Sequence, residues 1–245
     1  MPSADASTHV SRPHPPDPVV IVTARDEAER LPATLHALAS AFPHARVLVA
    51  DDGSRDRTAD IAYAHGAEVV RSARPQGKGG TATLAANRLL QATRAEHPPV
   101  VLLCDGDLGA SAAALVPLVE EVRAGRADLA IAAFARRVGG GFGFAVGFAH
   151  WAIKRRSGLD MRAPISGQRA LRAEILPAIV PFAPRFGMET GMTIDVLRAG
   201  LAVCEIRCEL RHRVSGADWP GVRHRAIQFA HVAAALADPR RLRRA

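Results

Sequence analysis

The chain is short of aromatic residues, cysteine and long apolar runs, and each shortage removes a class of protein. Phe, Trp and Tyr together make up 4% of its 245 residues. That speaks against a module that grips nucleic acid by stacking bases, so no nucleic-acid partner is expected. Its three cysteines, Cys104, Cys204 and Cys208, make no disulfide framework. No second Cys or His pair stands at metal-finger spacing, and all three read as reduced core residues, which points to the cytoplasm. No run reaches the ~18 apolar residues that span a bilayer. Residues 1–17 are rich in Pro, Ser, His and Asp and lack the apolar stretch of a secretory signal. A disordered tail is expected there.

What is present is a chain with a core. Hydrophobic residues make up 48% of it, and the net charge is +8. A basic balance implies an anionic partner, such as a nucleotide or a membrane surface. Positive charge gathers late, at Lys154-Arg155-Arg156, Arg240-Arg241 and Arg243-Arg244. These clusters read either as solvated faces or as a footprint on an anionic surface. A single domain is expected over residues 18–237, with a nucleotide half at 18–135, an acceptor half at 136–237 and a basic tail at 238–245.

The most informative stretch is Val100-Val101-Leu102-Leu103-Cys104-Asp105-Gly106-Asp107. Five apolar residues in a row predict a strand buried on both faces. Two carboxylates follow at its carboxyl end, where ligands bind in open α/β sheets. The pair reads either as a plain turn or as a seat for a hard divalent cation, Mg²⁺ or Mn²⁺.

Other strands are predicted at residues 19–23, 46–50, 68–71 and 129–133. Helices are predicted at 29–42, 58–65, 81–93 and 112–124. This alternation means βαβ units and a mainly parallel α/β sheet with helices on both faces. Asp26-Glu27 follows the first strand, Asp51-Asp52-Gly53-Ser54 the second, and Gly77-Lys78-Gly79-Gly80 the third. Each could be a turn or a helix cap. Together they would gather on one edge of the sheet, with Lys78 beside a helix N-terminus suited to phosphate. Later in the chain, residues 139–152 are rich in glycine and Phe and read as a mobile lid or an interfacial segment. A turn at Ser166-Gly167-Gln168-Arg169, a helix at 191–199, a strand at 202–210 and a last helix at 224–237 complete the reading.

The succession Val19–Glu27, Asp51-Asp52-Gly53-Ser54 with Asp56 and Thr58, Gly77-Lys78-Gly79-Gly80 and Asp105-Gly106-Asp107 resembles family-2 glycosyltransferases of the Rossmann-like GT-A fold. Ser166-Gly167-Gln168-Arg169 and Phe186-Gly187-Met188-Glu189 are similar to the polyprenyl- and dolichol-phosphate mannosyl- and glucosyltransferases. Gln168 stands where Phe is usual there, and Gly109 where some of these enzymes carry a metal-coordinating Gln. The resemblance implies a metal-dependent, inverting transfer from a UDP- or GDP-sugar. Asp26, Glu27 and Asp52 would hold the nucleoside, Lys78 the diphosphate, and Asp105 and Asp107 the metal. Asp107 and Glu189 would be catalytic, with Ser166 and Arg169 at the acceptor-side turn. The acceptor would be a lipid phosphate at the inner face of a membrane, or a soluble alcohol with Glu189 as general base. A non-catalytic nucleotide- or lipid-binding relative is another alternative. A sugar-1-phosphate nucleotidyltransferase would instead need a glycine-rich loop where Thr23-Ala24-Arg25-Asp26-Glu27 stands.

Overall fold

The first apolar run becomes strand β1 (Val19–Ala24), buried at every position but Thr23. In this computed structural model, residues 17–92, 100–134 and 143–210, with residue 234, are described. After β1 come α1 (Leu31–Ala41), β2 (Arg46–Asp51), α2 (Thr58–Ala64), β3 (Glu68–Arg71), α3 (Lys78–Ala92) and β4 (Val100–Asp105). A 3₁₀ segment, Gly109–Leu115, runs into α4 (Val116–Arg123), followed by β5 (Leu129–Phe134) and α5 (Gly143–Ser157). The chain continues through β6 (Arg169–Arg172), α6 (Leu176–Ile179), α7 (Met188–Arg198) and β7 (Val203–Cys208). The expected last helix and both tails lie outside the described residues, apart from residues 17 and 234.

The strands form one sheet in the order β3-β2-β1-β4-β6-β5-β7. β6 runs antiparallel to both neighbours, and the remaining pairs are parallel. From β1 the chain steps outward to β2 and β3, then returns to lay β4 on the other side of β1. The crevice between β1 and β4 is therefore a topological switch point, open at the carboxyl ends of both strands. The division at residue 135 does not follow the sheet: β5 ends at Phe134 yet lies beyond β6.

Alternate side chains of the strands feed two cores. On one face Ile21, Leu48, Val101 and Leu103 pack with Ala82, Ala86 and Leu89 of α3, Ile153 of α5 and Met192 of α7. On the other, Val20, Val22, Leu102 and Cys104 pack with Leu31, Leu35 and Leu38 of α1 and Leu118 and Val122 of α4. Each fully buried Leu, Ile or Val contributes roughly 1.5–3 kcal/mol. Cys104 and Cys208 are buried and all three thiols are free.

Three expectations shift. The helix expected from Thr81 begins at Lys78, so the lysine opens the helix instead of preceding it. The helix expected over 112–124 is 3₁₀ until Leu115 and α only from Val116. Pro117, which has no N–H, fits the first turn of a helix and not its interior. Within residues 139–152, the part from Gly143 onward is no lid. It belongs to α5, whose Ala149, Ala152 and Ile153 are buried in the core.

Candidate active site

Asp105 ends β4 and pairs in register with Thr23 of β1. Its Oδ1 accepts from Thr23 Oγ1 at 3.1 Å and lies 2.5 Å from Lys78 Nζ. Its Oδ2 accepts from Gln168 Nε2 at 2.8 Å, while Gln168 Oε1 accepts from the Asp105 backbone N–H at 3.0 Å. Gln168, at the position where the resemblance expected Phe, is thus the two-point partner of Asp105. Burial works against ionising Asp105, but Lys78, Gln168 and Thr23 outweigh it and hold the carboxyl below the usual range.

Lys78 reaches a second carboxylate, with Nζ 3.0 Å from Glu189 Oε1 in the first turn of α7. Burial disfavours the ammonium, yet Asp105 and Glu189 more than compensate and raise Lys78 above an ordinary lysine. Two of its three N–H donors are committed inside the protein. Gly167 makes this contact feasible: a Cβ there would lie 2.1 Å from Nζ and 2.9 Å from Asp105 Oδ2.

Asp107 stands on the turn just beyond. Thr34 of α1, wholly buried, braces that turn from below. Its Oγ1 donates to the Gly106 carbonyl and accepts from the Gly109 N–H, both at 2.8 Å. Gly109 has φ +55°, a region that favours glycine. Thr34 was not singled out from the sequence, where nothing distinguishes it from any helical threonine.

The residues expected to hold a nucleoside are stitched together. Asp26, at φ +54°, donates its N–H to Ser54 Oγ at 3.0 Å and accepts from the Arg55 N–H at 2.7 Å. The Glu27 N–H donates to Thr58 Oγ1 and the Ala28 N–H to Asp56 Oδ2. Asp52 holds the loop that leads to Lys78. Its carboxylate accepts from the N–H groups of Gln76 (2.7 Å) and Gly77 (3.0 Å) and from Thr81 Oγ1 (2.6 Å). An open cleft of about 490 Å³ lies alongside, lined by Gly53, Ser54, Arg55, Arg71, Ser72 and Pro75 among others.

Arg169, expected at an acceptor-side turn, does not face the crevice. Its guanidinium is wholly buried and donates to the carbonyls of Ser166 (2.7 Å) and Pro164 (3.2 Å) and to Thr193 Oγ1 (2.8 Å). It shapes the Pro164–Ser166 turn from inside, and burial pulls its pKa down to about 10. Ser166 Oγ and Thr190 Oγ1 are buried without a hydrogen-bond partner among the described residues.

No group of three or more His, Cys, Asp or Glu able to hold a metal occurs among the described residues. Mg²⁺ and Mn²⁺ sites often use one or two carboxylates and complete their shell with substrate phosphates and water. Two carboxylates at the end of β4, Asp105 and Asp107, fit that pattern in donor type, and Lys78, Thr23 and Gln168 already occupy much of the acceptor capacity of Asp105.

The model of the family described as Glycosyl transferase family 2 matches residues 19–176, from β1 to the start of α6. The chain belongs to that family. The glycosyltransferase is 31% identical over 209 residues to an undecaprenyl-phosphate mannosyltransferase of Micrococcus luteus, covering 77% of this chain and 81% of the relative. It is 37% identical over 110 residues to an uncharacterized glycosyltransferase of Mycobacterium bovis, 45% of each chain. Its GT-A fold superposes on glucosyl-3-phosphoglycerate synthase from Mycobacterium tuberculosis. For the complex of that protein with Mn²⁺, UDP and phosphoglyceric acid, the TM-score is 0.71 at 24% identity, covering 90% of this chain and 77% of that one. For its complex with Mg²⁺ and UDP, the TM-score is 0.71 at 26% identity, covering 90% and 78%.

Proposed function

We propose that this glycosyltransferase moves a sugar, with inversion, from a UDP- or GDP-sugar to a phosphate-bearing acceptor, for which a polyprenyl phosphate is the best fit. The observation that carries the reading is the Asp105–Lys78–Glu189 bridge at the β1/β4 switch point. A carboxylate bonded to an ammonium is a poor general base. An acceptor phosphate is already an anion and needs none. The named activity of the Micrococcus relative supports the same acceptor class.

In this reading an acceptor phosphate oxygen attacks the anomeric carbon from the face opposite the leaving group. A new C–O bond forms as the bond to the diphosphate breaks, and the electron pair departs with the diphosphate. Asp26 and Glu27 line the nucleoside side, and Asp52 fixes the loop that delivers Lys78. Lys78 locks Asp105 and Glu189 at one spot. Arg169 holds the turn that places Ser166. Mg²⁺ or Mn²⁺, when held by Asp107 with Asp105 beside it, would neutralise charge on the departing diphosphate.

No helix among the described residues is long and apolar enough to cross a membrane. A lipid acceptor would be met by peripheral association through α5, where Trp151 is exposed and Lys154 and Arg155 follow. A second reading, transfer to an alcohol of a small phosphorylated acid with Glu189 as base, draws on the likeness to glucosyl-3-phosphoglycerate synthase. Product analysis with undecaprenyl phosphate and with 3-phosphoglycerate as acceptors separates the two.

Calorimetry with UDP and GDP, with and without Mn²⁺, tests the donor site. The wild type should bind one nucleotide more tightly with Mn²⁺. Asp107→Asn should lose that gain while keeping its thermal midpoint. Equal Mn²⁺ dependence in both proteins removes Asp107 from the metal site.

A further inference from the structure

The cations packed around the Asp105–Glu189 bridge are already engaged. Asp105, Asp107 and Glu189 bring three carboxylates. Lys78 is already shared between two of them, and Arg169 is enclosed beneath the acceptor turn. Arg25 stands 3.9 Å from both Asp26 and Asp52.

Beside the cleft that Arg55 and Arg71 line, a further cation stands against the loop that carries Lys78. Arg185 opens the 3₁₀ turn Arg185–Gly187, directly before α7. It is exposed, and no carboxylate pairs with it among the described residues. Its stem lies against Gly77, the residue before Lys78: a Cβ on Gly77 would fall 2.7 Å from Arg185 Cγ and 3.2 Å from its Cα. Its backbone is also unusual. Among the described residues, only Asp26 and Arg185 hold a positive φ without being glycine, each at +54°. Glycine would meet that backbone demand without cost, whereas a long side chain there is strained. Backbone strain of this kind clusters at functional sites, and Arg185 lies against Gly77, whose N–H the Asp52 carboxylate holds.

We infer that Arg185 contacts the diphosphate of the nucleotide-sugar donor, supplying the charge that Lys78 has already given to Asp105 and Glu189. This rests on the donor reading above. A guanidinium suits the task, because its planar fork can meet two phosphate oxygens at once. Its aliphatic stem is braced on Gly77, the residue before α3.

The test uses Arg185→Gly and Arg185→Asn in the full chain, since both residues tolerate the left-handed backbone. In the presence of Mn²⁺, affinity for UDP, or for GDP if the wild type prefers it, should fall about tenfold or more, the scale of a lost charged hydrogen bond. Affinity for the free nucleoside, measured by competition, should hold. The thermal midpoint of Arg185→Gly should stay level or rise. That pairing of weaker diphosphate binding with undiminished stability is one a purely structural arginine could not produce. Unchanged diphosphate affinity, or equal losses for diphosphate and nucleoside, overturns the assignment while leaving the donor site standing. A wild-type protein that binds neither UDP nor GDP overturns both.

Discussion

Gly167 lies so close to Lys78 that a Cβ on the glycine would sit 2.1 Å from the lysine Nζ. The absence of one carbon thus lets a lysine on α3 join a carboxylate on β4 to another on α7. Gly167→Ala should push the ammonium off Asp105 and Glu189 with little harm to the fold, because the displaced atom is the end of a flexible side chain. Overpacking of this kind costs about 1–3 kcal/mol, and the lower end is expected. Transfer activity should fall about a hundredfold, the scale of a positioning error near the reacting atoms. Activity and thermal midpoint measured on one preparation check this; a large stability loss with proportionate activity loss would show a packing defect only.

Thr34 supports the Asp105–Gly109 turn through one hydroxyl that donates to Gly106 and accepts from Gly109. Thr34→Val keeps the shape and removes both bonds, leaving the buried Gly106 C=O and the half-buried Gly109 N–H unpaired at a cost of about 1–3 kcal/mol. Thr34→Ser keeps the hydroxyl. In a Mn²⁺ titration of nucleotide binding, the valine variant should need several-fold more metal and the serine variant should track the wild type. Identical titrations for valine and wild type would leave Thr34 without influence on Asp107.

The same salt bridges set two limits on pH stability. Asp105 has a depressed pKa in the folded state. Its contribution is present above the unfolded value of about 3.9 and is lost as pH falls through the lower folded value. Lys78 has a raised pKa. Its contribution is complete below about 10.4 and is lost as pH rises through the higher folded value. Thermal midpoints across pH should therefore hold level between these limits and drop outside them. Asp105→Asn should shallow the acid limb, and Lys78→Met the alkaline limb. Limbs as steep in the variants as in the wild type would assign the slopes to other groups.

On α5, Trp151 is 57% exposed and stacks on Phe148 with ring centroids 5.7 Å apart. Lys154 and Arg155 are exposed one turn further on. Binding to vesicles rich in anionic lipid should be measurable at low salt and fall as salt rises, since each basic residue near such a surface contributes about 1 kcal/mol. Trp151→Ala should weaken it further. No binding at low salt would favour the soluble acceptor.

The sequence exposed those parts of the site that lie on one stretch of chain. Asp105 was legible because five apolar residues before it mark a buried strand and so locate its carboxyl end. The β1 and β2 motifs were legible for the same reason. What it hid were the meetings between distant segments. The Lys78–Glu189 bond depends on how α3 and α7 pack, which no local pattern records. Gln168 looked like a departure from a motif until its two bonds to Asp105 were seen. Arg169 has the composition of a surface residue, and only the closing of the Pro164–Ser166 turn around it explains its burial. The early start of α3 was hidden by Gly79 and Gly80, which argue against helix in isolation. Gly79 is held there by close packing, since a Cβ on it would collide with the Ala183 carbonyl.

The place of β6 has a bearing on how the chain is made. β4 and β5 are separated in the sheet by a strand that is synthesised later than either. While the ribosome has delivered only the first 134 residues, β3, β2, β1 and β4 can pair among themselves, but β5 has no neighbour to join. It must wait for β6 and then β7, whose contacts close long loops and are slow to form. An apolar strand, Leu-Ala-Ile-Ala-Ala-Phe, is thus exposed to wrong partners throughout that interval. The nascent enzyme should depend on chaperone protection most between the release of residue 129 and that of residue 208.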